Sequence, residues 1–153
     1  MPDNREVQRT TLLDRYRAAV QSGNYAFPLS ELLGFHLVEV DPGRAVIQLE
    51  AGEQHTNPMG TLHGGVVATI ADTAMGIAHG SLLGEGETST TVDLKVNYLR
   101  PFWRGTLNAR AKAIQHGRTL TYVECDVRDL EDNLVARASS TCMTLRGEAA
   151  QGR

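Results

Sequence analysis

Between Gly65 and Ala78 the polar and apolar positions stop alternating, and Val66, Val67, Ala68, Ile70, Ala71, Ala74, Met75, Ile77 and Ala78 spread round the whole helical wheel. A helix apolar on every side must be covered on every side, so this stretch is predicted as a buried central helix. Most of the remaining chain has period two. Phe35 to Val40 and Arg44 to Glu50 alternate on either side of Asp41-Pro42-Gly43, a turn sequence that makes the pair a hairpin. After a glycine-rich connection from Gly80 to Gly86, four more stretches alternate in close succession: Thr88 to Leu99, Thr106 to Ile114, Leu120 to Leu130 and Leu134 to Leu145. The first of these sends Val92, Leu94, Val96 and Tyr98 to one side. The second sends Leu107, Ala109, Ala111 and Ala113 inward, and such small residues leave room for something thick. Asn4 to Ser22 carries apolar residues at helical spacing, and Pro28 to Leu33 reads as a short helical turn closed by Gly34.

Two strands, one very apolar helix and four further antiparallel strands satisfy all these faces only if one sheet curls round the helix. The expectation is therefore an α+β fold, an antiparallel sheet wrapped round one long central helix, with an extra N-terminal helix. No repeat or composition shift divides the 153 residues. They are read as one domain, with a core at about 33–145, a helical extension at 1–32 and a flexible tail at 146–153.

Charge and cysteine content narrow the setting. Fifteen Lys and Arg against eighteen Asp and Glu leave a formal net charge of −3 with no dense basic run, which argues against a nucleic-acid partner. No apolar run reaches the roughly 20 residues of a membrane span, and the first ten residues are too polar for a signal peptide. Cys125 and Cys142 lie in strand patterns without metal or redox spacing. The expectation is a cytoplasmic protein without membrane association, metal or cofactor.

One residue is out of place in the central helix. Asp72 is the only ionisable side chain between His63 and His79, and a carboxylate in apolar surroundings is costly unless something uses it. At the start of the helix, His63, Gly64 and Gly65 put side-chain-free backbone where the first N–H groups have no internal partners and the helix dipole is positive. That makes an anion-binding end. The usual signatures of serine, phosphate-loop, dinucleotide and zinc chemistry are missing from the sequence. A carboxylate and a dipole-backed amide suit attack on a carbonyl, the amide stabilising the oxyanion while the carboxylate activates water or attacks directly. However, Asp72 lies eight residues beyond Gly64, or roughly 12 Å along one helix. One small carbonyl cannot touch both. If both act at one centre, they come from two chains with antiparallel central helices, so a two-fold dimer with two shared sites is expected.

The motif Asn57-x-x-Gly60-x-x-His63-Gly64-Gly65, an acid nine residues after the His, and a strand ending Tyr98-Leu99-Arg100-Pro101 together resemble the hotdog-fold acyl-CoA thioesterases of the phenylacetate-degradation type. The similarity spans roughly Leu33 to Leu145. It implies that Asp72 is base or nucleophile, that the Gly64 amide polarises the thioester carbonyl, that Asn57 positions carbonyl or water, and that His63 shapes the loop and contacts the thioester. It also implies dimers pairing into tetramers and a CoA tail lying along the surface. Related enzymes carry Gln for Asn57, Glu for Asp72 and often a hydroxyl one turn beyond the acid, where this chain has Gly76. Gly65 belongs to the same substrate-binding helix start, and Arg100 and Arg118 are candidate phosphate partners for the CoA tail, although arginines at strand ends also serve to keep an edge soluble. Met75 and His79 are candidate acyl-pocket residues, and a core role for Met75 is equally open. The resulting expectation is hydrolysis of a small or medium acyl-CoA, aromatic acyl groups included. The alternatives are a non-catalytic acyl-CoA-binding module, which would gain nothing from a buried acid, and an enoyl-CoA hydratase, whose Asp-x-Asn-Pro-x-His motif is matched only at Asn57-Pro58.

Overall fold

The computed structural model describes residues 10–152. The first helix, α1, runs Leu12–Ser22 and starts later than its periodicity suggests, because Thr11 caps it. The Thr11 hydroxyl oxygen accepts from the Asp14 amide at 3.2 Å while the Asp14 carboxylate accepts the Thr11 N–H at 3.0 Å, a reciprocal capping box. The part of the expected helix before residue 10 lies outside the described residues. Gly23, at φ 65°, ends α1 in the left-handed conformation that favours glycine. A second short helix, α2, spans Pro28–Leu33.

Six strands follow the predicted alternation to within one or two residues. They are β1 Phe35–Asp41, β2 Arg44–Ala51, β3 Thr88–Tyr98, β4 Gly105–His116, β5 Leu120–Asp129 and β6 Leu134–Leu145. They form one sheet in the order β1-β2-β4-β5-β6-β3, antiparallel at every step. The long helix α3, Gly64–Gly80, lies against the inner face of this sheet. Ile70, Ala71, Ala74 and Met75 of α3 meet Ile47, Leu49, Leu107, Ala109, Val123 and Val127 in one core cluster. The alanines of β4 are small because α3 occupies the space in front of them. This is the hotdog arrangement expected from the sequence.

The two edges of the sheet are finished differently. At the β1 edge, α1 docks through an aromatic ladder in which Tyr16, Tyr25, Phe27 and Phe35 stack edge to face at centroid distances of 6.1, 5.5 and 5.7 Å. At the opposite edge, β3 pairs only with β6. Its register slips between Thr91 and Asp93, and Val92 and Tyr98 are 55% and 57% exposed. The apolar side predicted for β3 therefore exists, but this chain leaves most of it uncovered. The chain end expected to be a flexible tail begins with an anchor instead. Arg146 pairs with Glu87 at 2.6 Å and donates to the Arg118 carbonyl at 2.7 Å, and Gly147–Ala150 forms a 3₁₀ turn.

Candidate active site

The loop that delivers the chain to α3 is rigid for local reasons. The Asn57 Oδ1 accepts the Met59 and Thr61 N–H groups at 2.9 and 3.2 Å, and its Nδ2 donates to the Thr61 hydroxyl at 2.8 Å. The carboxamide expected to hold a carbonyl or water thus spends its oxygen and one of its two amide hydrogens on its own loop. His55 is buried beneath the loop. Its Nδ1 accepts the Gly52 N–H at 3.0 Å, which makes Nε2 the protonated nitrogen, donating to the Leu33 carbonyl at 2.7 Å. The His55 carbonyl in turn accepts the His63 N–H, and the Phe102 carbonyl accepts the Leu62 N–H.

His63 is the N-cap of α3, with its Nδ1 accepting the Gly65 N–H at 2.8 Å. This separates the two glycine amides. Gly65 is engaged by the cap, whereas no group among the described residues accepts from the Gly64 N–H. Both positions need glycine because of close approach. A Cβ on Gly64 would lie 2.9 Å from the Tyr98 ring, and one on Gly65 would lie 3.0 Å from the His63 Nδ1. Tyr98 also donates to the Gly64 carbonyl at 2.8 Å, so the end of β3 clamps the start of α3. Gly64, Asn57, Tyr98, Arg100 and Phe102 line one cavity of about 390 Å³.

Two turns along, Asp72 is half-buried and faces elsewhere. Its Oδ1 accepts from the Thr91 hydroxyl of β3 at 2.9 Å. Asp72, Thr73, Gly76, Ser89 and Thr91 line a second cavity of about 270 Å³ together with Leu12, Tyr16 and Tyr25. Within one protomer, then, the expected amide and the expected acid open into different cavities, as their separation along one helix requires.

Met75 and His79, expected at an acyl pocket, have no exposed surface and belong to the core. The His79 ring has Ser89 Oγ 2.6 Å from Nδ1 and Thr144 Oγ1 3.1 Å from Nε2. Burial, with the neighbouring His116 ring adding to it, lowers its pKa to about 4, so it stays neutral. The structure also separates the two candidate arginines. Arg100 joins the Gly64 cavity, but Arg118 sits in the β4–β5 turn beside His116, whose ring lies 6.0 Å from His79 at the other end of α3. Sequence reasoning quoted Tyr98 only as part of the Tyr98-Leu99-Arg100-Pro101 motif, without a role at the helix start, and missed Thr91, Ser89, Tyr16 and Tyr25. The only sequence signal for Thr91 and Ser89 was their place on a strand predicted to run beside the helix.

The model of the thioesterase superfamily matches residues 59–136 of this chain, from the loop before α3 into β6. The 1,4-dihydroxy-2-naphthoyl-CoA hydrolase of Listeria monocytogenes is 31% identical over 113 residues, covering 74% of this chain and 92% of that protein. Human acyl-coenzyme A thioesterase 13 is 30% identical over 121 residues, covering 77% and 85%. Among solved structures, a thioesterase family protein from Silicibacter pomeroyi superposes with a TM-score of 0.78 at 30% identity, covering 86% of this chain and 99% of that one.

Proposed function

The chain belongs to the thioesterase superfamily and is a thioester hydrolase, and from that premise we propose that it cleaves small or medium acyl-CoA thioesters at sites shared between two copies of the chain. The observation that carries the proposal is where β3 meets α3. At one end of the strand Tyr98 bonds to Gly64, and near the other end Thr91 bonds to Asp72. Antiparallel pairing of the exposed β3 edges of two protomers would set the Gly64 cavity of one against the Asp72 cavity of the other, twice over. The exposed Val92, Leu94 and Tyr98 would be covered by the same contact.

At such a site the Gly64 N–H, backed by the dipole of α3, donates to the thioester oxygen and stabilises the negative charge developing there. The partner's carboxylate removes a proton from water as the water attacks the carbonyl carbon, and the thiolate of CoA leaves. His63 holds the loop-to-helix turn rather than moving a proton, since its Nδ1 is engaged by Gly65. Arg100, exposed at the mouth of the Gly64 cavity, is positioned to meet a CoA phosphate. The core at about 33–145 carries this machinery, with residues before it as an extension. The buried free thiols of Cys125 and Cys142 suit the reducing cytoplasm, and no helix among the described residues is long and apolar enough to cross a membrane. Pairing of dimers into tetramers is part of the same reading.

The test is complementation. Asp72→Asn should lower thiol release from acyl-CoA by about 10²- to 10⁴-fold. Gly64→Ala, which drives a methyl into Tyr98, should also be poorly active. Unfolding the two variants together and refolding them should recover about a quarter of wild-type activity, because half of the dimers are mixed and each of these has one intact site. No recovery, with dimers demonstrably formed, would show that each site lies within one protomer.

A further inference from the structure

The wall of the Asp72 cavity comes from a part of the chain that the family model does not reach. Leu12 and Tyr16 of α1, and Tyr25 in the segment after it, line it together with Asp72 and Thr91, whereas the match to the family model begins at residue 59. On the helix side, Gly76 lies four residues beyond Asp72, one turn further along α3. A Cβ built on Gly76 has nothing within 4 Å and Gly76 lines this cavity, so the missing side chain leaves open space between the carboxylate and the tyrosines.

We infer that Tyr16 and Tyr25 form the end wall of the acyl subsite and set the longest acyl group the enzyme accepts, with Gly76 providing the room in front of them. This rests on Asp72 acting at the thioester, because the acyl group must then run from the carboxylate past Gly76. The cavity holds about 270 Å³, and α1 and the segment after it line it through Leu12, Tyr16 and Tyr25. Tyr16 is held firmly enough to act as a stop. It stacks on Tyr25 in the ladder that reaches the core residue Phe35, and its hydroxyl lies against Gly80, where a Cβ would sit 2.8 Å away. A straight chain that runs past Gly76 as far as the tyrosines would have to displace that ladder to go further. Residues before the stretch that the family model matches would thus fix specificity, while the matched stretch keeps the chemistry.

Straight-chain acyl-CoAs from butanoyl to tetradecanoyl supply the test, with kcat/KM read for each. Wild-type enzyme should show a cut-off in chain length. Tyr16→Ala should move the cut-off to longer chains, raising kcat/KM for the first excluded homologues by roughly tenfold or more relative to butanoyl-CoA. Gly76→Ala should do the reverse, penalising the longest accepted substrate more than the shortest. It favours the helix, so it remains informative if Tyr16→Ala fails to fold. A cut-off unmoved by both variants, in enzyme that still depends on Asp72, would overturn the wall and leave the thioesterase reading intact. Wild-type enzyme with activity insensitive to Asp72→Asn would remove the reading itself, and the wall with it.

Discussion

His63 and His79 bracket the same helix and have opposite fates. His63 is exposed, caps the first turn through one nitrogen, and stands beside the one helix-start amide left unclaimed. His79 has no exposed surface, and both of its nitrogens lie within hydrogen-bond reach of hydroxyls, Ser89 on β3 and Thr144 on β6. The closed end of α3 satisfies its polar groups internally and so fixes the helix in the sheet. The open end leaves one donor, the Gly64 N–H, without a partner among the described residues. A histidine's role here is decided by burial and partners, not by residue type or by its position on the helix.

The largest effect expected from this contrast is on stability in mild acid. The folded chain binds a proton at His79 only near pH 4, whereas the unfolded chain binds it near the ordinary value of 6.5. The stabilising contribution is therefore complete above about pH 6.5 and is lost as the pH falls towards 4, at about 1.2 kcal/mol per unit in the middle of that window and about 3 kcal/mol in all. Denaturant midpoints measured at intervals from pH 7 to pH 5 check this above the range in which carboxylates titrate. His79→Gln, which cannot take the proton, should be less stable at pH 7 and flatter across the window. An equally steep slope in that variant would assign the loss to another group.

What the sequence could and could not reveal follows the same division. The helix, the six strands and the two glycines at the helix start were legible, because each rests on local periodicity or backbone freedom within a few residues. The roles of Met75 and His79 were not. A helix apolar all round offers no face from which to tell a pocket wall from a core contact, and His79 finds its partners 10 and 65 residues away. Tyr98 and Thr91 were hidden for a similar reason. Their bonds to Gly64 and Asp72 span 34 and 19 residues and exist only because β3 lies alongside α3. The separation of the two cavities, by contrast, followed from helical rise alone.

Asp72 lies between the two ends, and Thr91 shows which regime it belongs to. If the hydroxyl orients the carboxylate for water, Thr91→Val should lower kcat/KM by roughly tenfold, about 1.4 kcal/mol, and Thr91→Ser should restore most of it. The unfolding midpoint should hardly move, since the carboxylate stays half-exposed without the bond. Loss of stability without loss of rate would move Asp72 to the closed side of the comparison and make its bond to β3 structural.

The smallest effect is expected from His63. Removing the cap with His63→Ala frees the Gly65 N–H and should cost about 1 kcal/mol of stability, less than the loss at His79, because an exposed amide without its cap is taken up by water. The same change returns a second donor to the helix start and loosens the geometry that aims the Gly64 amide. Turnover should therefore fall several-fold while the protein remains folded. His63→Asn, whose side-chain oxygen can also accept at an N-cap, should recover the stability. If it recovers the rate as well, His63 acts through the cap. If stability returns and the rate does not, the imidazole itself meets the substrate, and the open end of α3 holds one more working group than its hydrogen bonds reveal.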